Sequence, residues 1–238
     1  MSRAAGTPGS LTDDPAAMNL RAVLFDLDGT LLDTLEDIGR SANEALREEG
    51  FPTHPIDAYR QFIGDGVAVL FQRALPPAAA ADPGVVARCV SAFGRTYDAG
   101  WDVATRPYPG VGELLDALRA RAIPTGVLSN KPDVFTRKCV ERHLAAWPFG
   151  VVLGQREGVP RKPDPAGALE AAERLGVRPD EVLYLGDTSV DMATATRAGM
   201  FAVGAAWGFR SVDELREHGA AAIVSRPLEV LDLLGPRP

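Results

Sequence analysis

The sequence predicts an α/β fold in which a doubly wound parallel sheet is interrupted early by a helical insertion. Three observations carry this expectation. From about residue 106 onward, short apolar runs alternate with helical periodicities. No strand pattern falls between Asp33 and about Thr105, and several of the apolar runs end in polar residues at their carboxyl ends. With 238 residues, 46% of them hydrophobic, the chain can bury one large core and a smaller satellite.

Taken in order, residues 1–18 are rich in Gly, Pro and Ala without periodicity and read as a flexible extension, with Met18 an alternative start. Ala22-Val23-Leu24-Phe25 is a buried strand running into "DLDGT". Leu35, Ile38, Ala42, Ala45 and Leu46 recur at helical spacing, and "AYRQFIGDGVAVLFQRAL" and "GVVARCVSAFGRTYDAGW" continue in helices. The insertion therefore covers 34–105, and 19–33 with 106–238 form the sheet-bearing core. Within that core "GELLDALRARA", "PDVFTRKCVERHL", "PAGALEAAERLGV" and "SVDMATATRAG" read as helices. "IPTGVLSN", "FGVVLG", "EVLYLGD" and "MFAVGAAWG" read as strands.

The totals narrow the class. A formal charge of −7, from 25 bases against 32 acids, leaves no electrostatic footprint for a nucleic-acid backbone. No apolar stretch approaches the roughly 20 residues that span a bilayer, and the first residues lack the apolar middle of a secretory signal, so a cytoplasmic address is expected. Cys89 and Cys139 stand far apart in apolar helical contexts, as reduced, buried small hydrophobes do.

In open α/β sheets ligands bind beyond the carboxyl ends of the strands. There the chain places Asp26 and Asp28, then Ser129 and Asn130, then Asp187 and Asp191, with Lys162 in the loop of "RKPDP". Taken singly, each has an ordinary reading: a turn acid, a turn start, a helix cap or a solvated lysine. Their joint occurrence in order at strand ends does not. Buried carboxylates cost several kcal/mol unless they share a cation or reach solvent, so paired acids behind an apolar strand point to a metal site or a polar loop.

These motifs, "DLDGT" (Asp26 to Thr30), "LSN" (Leu128 to Asn130), "KP" (Lys162-Pro163) and "GDTSVD" (Gly186 to Asp191), resemble those of the haloacid dehalogenase superfamily of aspartate-nucleophile phosphotransferases. "FIGDGVAVLFQRAL", "LSNKP", "RKPDP" and "AAWGF" are similar to bacterial phosphoglycolate phosphatases. The resemblance implies a Rossmann-like core with an inserted helical cap hinged near Asp33 and Arg106. It implies Asp26 as nucleophile, Asp28 as general acid and base, and Mg²⁺ held by Asp26, Asp187 and the backbone carbonyl of Asp28. Ser129, Asn130 and Lys162 bind the phosphoryl oxygens, Thr30 holds the turn or a phosphate contact, and Asp191 orients Lys162 or a metal-bound water. His54, His143 and His218 are too scattered for zinc.

In the cap, Gly64, Asp65 and Gly66 are expected to form a substrate-facing turn, and Arg73 is a candidate contact for a substrate carboxylate. The expected activity is hydrolysis of a small phosphorylated metabolite, 2-phosphoglycolate first, by a monomer or homodimer. Pyrophosphate, a sugar phosphate or a nucleotide are the alternative substrates. A β-phosphoglucomutase-like isomerase and a non-catalytic binding module are the other classes. Carbon–halogen cleavage is disfavoured by the presence of Asp28.

Overall fold

The computed structural model describes residues 19–234, so the expected extension over 1–18 lies outside the described residues. β1 (Ala22–Phe25) is buried on both faces and occupies the middle of a six-stranded sheet. Its neighbours are β4 (Thr125–Pro132) and β6 (Val182–Gly186), and the strands β5 (Val151–Gln155), β7 (Phe201–Ala205) and β8 (Ala222–Val224) complete the order β5-β4-β1-β6-β7-β8. Every pairing is parallel. Near-continuous apolar strands follow from that arrangement, because helices cover both faces.

One face packs against α6 (Val111–Ala120) and α7 (Asp133–His143) around Phe25, Leu114, Val127 and Leu183. The other packs against α8 (Ala166–Leu175) and α9 (Ser189–Ala198) around Leu24, Ala168, Tyr184 and Met192. Register fixes the site. Phe25 lies opposite both Val127 and Leu185, so Asp26 emerges level with the ends of the two flanking strands. The chemistry-bearing residues expected at strand ends are thereby brought to one edge of the sheet.

The insertion is a helical cap with its own apolar interior. α1 (Leu35–Glu48), α2 (Tyr59–Phe62), α3 (Val67–Ala74), α4 (Pro77–Ala80) and the long α5 (Pro83–Gly100) pack around Leu46, Tyr59, Phe71 and Phe93. Where the chain leaves and re-enters the core, β2 (Leu32–Asp33) pairs antiparallel with β3 (Arg106–Pro107). Asp33 and Arg106 form an exposed ion pair across this ribbon at 3.7 Å.

The ribbon is secured from above by Asp37. This carboxylate is fully buried at the start of α1 and accepts from the backbone N–H groups of Val103, Ala104 and Thr105 at 2.8–3.1 Å. It also accepts from the Thr105 hydroxyl at 2.8 Å and from Arg40 at 2.7 Å. Hydrogen bonds to a charged group contribute about 1.5–3 kcal/mol each, and removing the acceptor strands several buried donors together. Asp37→Ala is expected to destabilise the protein by about 3 kcal/mol or more, read as a lower urea midpoint. A change under about 0.5 kcal/mol would show that the clamp contributes nothing.

Candidate active site

At the end of β1, Asp26 faces Lys162. The Lys162 ammonium donates to Asp26 Oδ1 at 2.8 Å, to Asp191 Oδ1 at 2.7 Å and to the Leu128 carbonyl at 3.2 Å. All three of its protons are thus directed. Burial opposes the charge on Lys162, but Asp191 and then Asp26 outweigh it, and the ammonium is held well above its ordinary range. Asp191 is fully buried in the first turn of α9, where Thr188 caps the helix. The Thr188 N–H and hydroxyl donate to Asp191 Oδ2 at 3.1 and 2.6 Å, and the Tyr184 hydroxyl donates to Oδ1 at 3.3 Å.

Asp187 follows β6 and is also fully buried. It accepts from the Thr30 hydroxyl at 2.9 Å and from the Phe209 N–H at 2.8 Å. Two glycines make room for it: a Cβ on Gly29 would lie 2.3 Å from Asp187 Oδ2, and one on Gly208 would lie 2.2 Å from Asp187 Cβ. Gly29 also has φ +91°, a backbone shape that side chains resist. One oxygen from each of Asp26, Asp187 and Asp191 falls within 4.8 Å of the others. Three buried carboxylates lie together and one ammonium pairs with two of them, so the cluster is short of positive charge and its donors are the hard oxygens that a divalent cation takes.

The proton affinities express that shortage. Burial, and then the charge of Asp191, push the Asp26 carboxyl up to about 7 against the pull of Lys162. Burial, Asp191 and Asp26 push Asp187 well above the carboxylate range.

Asp28 takes a different partner from its neighbour. The Lys131 ammonium donates to its Oδ1 at 2.9 Å and Oδ2 at 3.2 Å, and both side chains are buried. Lys131 Nζ also lies 4.8 Å from the ring centroid of Tyr97 on α5, so the cap touches this pair directly. The Ser129 hydroxyl accepts from the Lys131 N–H at 3.2 Å. Asn130 ties three segments together: its side chain accepts from the Lys162 N–H at 2.9 Å and donates to the Lys162 carbonyl at 3.1 Å and to the Gly64 carbonyl of the cap at 3.0 Å. The Lys162–Pro163 peptide is cis.

The end of α2 and the loop that follows, residues 60–66, are held down by the core. Arg210 donates to the carbonyls of Arg60 and, at 2.8 Å, Ile63; Arg60 donates to the Gly208 carbonyl at 3.2 Å. Beneath the loop is a cavity of about 170 Å³, bordered by Asp26, Asp28, Ser129, Asn130, Lys131 and Lys162 on the core side. The cap side is chiefly apolar, with Leu70, Val90 and Phe93.

The structure therefore gathers Asp26, Asp28, Thr30, Ser129, Asn130, Lys162, Asp187 and Asp191 at one sheet edge. Gly64 and Gly66 line the cavity, while Asp65 turns to an ion pair with Arg73 at 2.6 Å. Arg73 also donates to the Phe62 carbonyl at 3.2 Å and does not border the cavity, so the candidate carboxylate contact is spent on holding the cap loop. Sequence reasoning missed Lys131 and Tyr97. The available signal for Lys131 was a lysine directly behind a buried strand end; for Tyr97 nothing beyond helical periodicity marked it.

This sheet, cap and acidic edge define a class, and the sequence pattern of the haloacid dehalogenase-like hydrolase family matches residues 23–205. The chain belongs to that family and is an enzyme, a phosphoric monoester hydrolase similar to phosphoglycolate phosphatases. It is 32% identical over 217 residues to the phosphoglycolate phosphatase of Nitrosospira multiformis, covering 90% of this chain and 96% of the relative. Against the phosphoglycolate phosphatase of Cereibacter sphaeroides it is 36% identical over 215 residues, covering 89% and 96%. A crystal structure from Lactobacillus delbrueckii subsp. bulgaricus superposes with a TM-score of 0.86 at 30% identity, covering 92% of this chain and 100% of that one. No helix among the described residues is long and apolar enough to cross a membrane.

A prediction follows from the raised carboxyls. A group whose folded proton affinity exceeds its unfolded value lends stability below the unfolded pKa, and that stability is lost as pH rises through the folded pKa. For Asp26 the window runs from 3.8 to about 7. In chelator, the unfolding free energy is expected to decline across this window, and Asp26→Asn is expected to flatten the decline. Equal slopes for the two proteins in urea titrations at several pH values would contradict the charge shortage.

Proposed function

We propose that this enzyme hydrolyses a small phosphomonoester through an aspartyl-phosphate on Asp26, with Mg²⁺ as cofactor and 2-phosphoglycolate, the substrate in its relatives' names, as substrate. The observation that carries the reading is the arrangement of Asp26 and Asp28 on one cavity. One is paired with Lys162 in a cation-poor cluster, the other with Lys131 toward the cap.

Lys162 occupies Asp26 Oδ1, which leaves Oδ2 to attack phosphorus. As the Oδ2–P bond forms, the ester P–O bond breaks, and Asp28 delivers a proton to the leaving oxygen. Asp28 then takes a proton from the water that attacks the aspartyl-phosphate, releasing inorganic phosphate and restoring the Asp26 carboxylate. The same acid serves both halves because the second step reverses the geometry of the first. The Ser129 hydroxyl offers a donor to the equatorial oxygens and Lys162 its positive charge, and phosphoryl transfer depends chiefly on such preorganised charge.

Asp26 and Asp187 are the side chains suited to hold the metal, with the Asp28 carbonyl, while Asp191 fixes Lys162 beside them. Bound there, Mg²⁺ supplies the positive charge that lets a carboxylate approach a phosphate dianion. The cap loop, secured by Arg210 and Asn130, keeps bulk water from the reacting atoms.

Asp26→Asn is expected to abolish Mg²⁺-dependent phosphate release from 2-phosphoglycolate without lowering the thermal melt below that of the wild type. Chelation is expected to silence the wild-type enzyme, and added Mg²⁺ to restore it. Wild-type turnover by Asp26→Asn, or turnover indifferent to chelator, would end this reading.

A further inference from the structure

Two buried lysines border the cavity, and they are unequally used. Lys162 bridges two carboxylates, Asp26 and Asp191, and its third proton goes to the Leu128 carbonyl. Lys131 is as deeply buried, yet it meets one carboxylate, that of Asp28. An ammonium has three donors, and a single carboxylate accepts two of them at most.

Beside Lys131 is a second unspent donor. Tyr97 is 2% exposed, and its hydroxyl makes no hydrogen bond of good geometry among the described residues, although it lies near enough to the Lys131 ammonium to favour that group's charge. A buried hydroxyl without a partner is uncommon, because it forfeits its bonds to water and gains none in return. Burial pushes the phenol far up, against the opposing charge of Lys131, so it remains a neutral O–H donor. Tyr97 and Lys131 both border the cavity, as do Asp26 and Asp28.

We propose that the Tyr97 hydroxyl and the free donor of Lys131 together recognise a carboxylate on the alcohol half of the substrate, attached to the carbon that bears the ester oxygen. This rests on the phosphatase reading and adds the residues that select the substrate. The position follows from the partner: Lys131 holds Asp28, the acid at the ester oxygen, so a group reaching Lys131 lies only an atom or two from that oxygen. A carboxylate has two acceptor oxygens, one for each donor. Lys131 then bridges Asp28 and the substrate carboxylate as Lys162 bridges Asp26 and Asp191.

The rest of the wall sets the limit on size. Leu70, Val90, Phe93 and Phe135 offer nothing to the hydroxyls of a sugar, whose burial there without partners is unfavourable. The class recognised is a short 2-phosphoxy carboxylate, and Tyr97 is a specificity residue contributed by the cap.

The test compares 2-phosphoglycolate with ethyl phosphate, which lacks the carboxylate, in wild type and in Tyr97→Phe. The ratio of their kcat/KM values is expected to favour 2-phosphoglycolate in the wild type and to fall at least about tenfold in the variant, as loss of a hydrogen bond to a charged group implies. Tyr97→Phe is expected to melt no lower than the wild type without substrate, since the hydroxyl it removes is unpaired. An unchanged ratio, or a lower melt, overturns the proposal. If Asp26-dependent release persists with an unchanged ratio, recognition alone is wrong. If neither ester is hydrolysed in an Asp26-dependent way, the phosphatase reading falls and takes this proposal with it.

Discussion

The site is organised by a shortage of positive charge. Asp26, Asp187 and Asp191 are buried at the carboxyl edge of the sheet around a single ammonium, that of Lys162. Burying an ion carries a penalty of several kcal/mol, which one lysine cannot offset for three acids. The fold tolerates this because each carboxylate is tied to the chain. Asp191 is held by the capping turn of α9, Asp187 by Thr30 and the Phe209 amide, and Asp26 by Lys162. The molecule is thereby prepared for charge from outside, and a phosphate group accompanied by a divalent cation is chemistry that fits it.

Steric economy around Asp187 serves the same end. Gly29 and Gly208 approach its side chain so closely that a methyl group at either position would collide with it. Small residues are required at these two points by the space the carboxylate fills, and at Gly29 by the backbone turn as well. The turn from β1 back into β2, the loop after β7 and the end of β6 thus converge on one side chain. The register of the central strand against β4 and β6 sets the level at which these segments meet.

What could be read in the sequence was what is local. The apolar run of β1, the helical spacing of α1 and the polar residues at strand ends are each contained within a few neighbouring positions, and the parallel topology follows from their alternation. Four short motifs were enough to gather the acids and Lys162, because α/β sheets put strand ends together. Contacts between distant segments were not legible. Lys131 looked like part of a turn start, yet its partner is 103 positions away. Asp37 lies in the first turn of α1 and collects three successive amides at the far end of the insertion, a partnership no local pattern marks. Asn130 joins the core to the cap through a carbonyl, which no side-chain pattern records. Arg73 shows the opposite error: a cation in the right segment was given a ligand, whereas Asp65 in its own loop satisfies it.

The cap supplies the outer wall of the cavity at the acidic edge. Its interior is a separate apolar cluster joined to the core by the β2–β3 ribbon and by the grip of Arg210, Arg60 and Asn130 on the loop over 60–66. In the proposed mechanism the core supplies the reacting groups, and selection falls to what the cap adds to the cavity. Most of its contribution is hydrocarbon, which limits size and removes water but cannot tell one anion from another. Tyr97 is different, since it brings a polar atom from the cap to within reach of the lysine that holds Asp28. In the proposed recognition, binding the substrate carboxylate and placing the acid beside the leaving oxygen are one event, because Lys131 takes part in both.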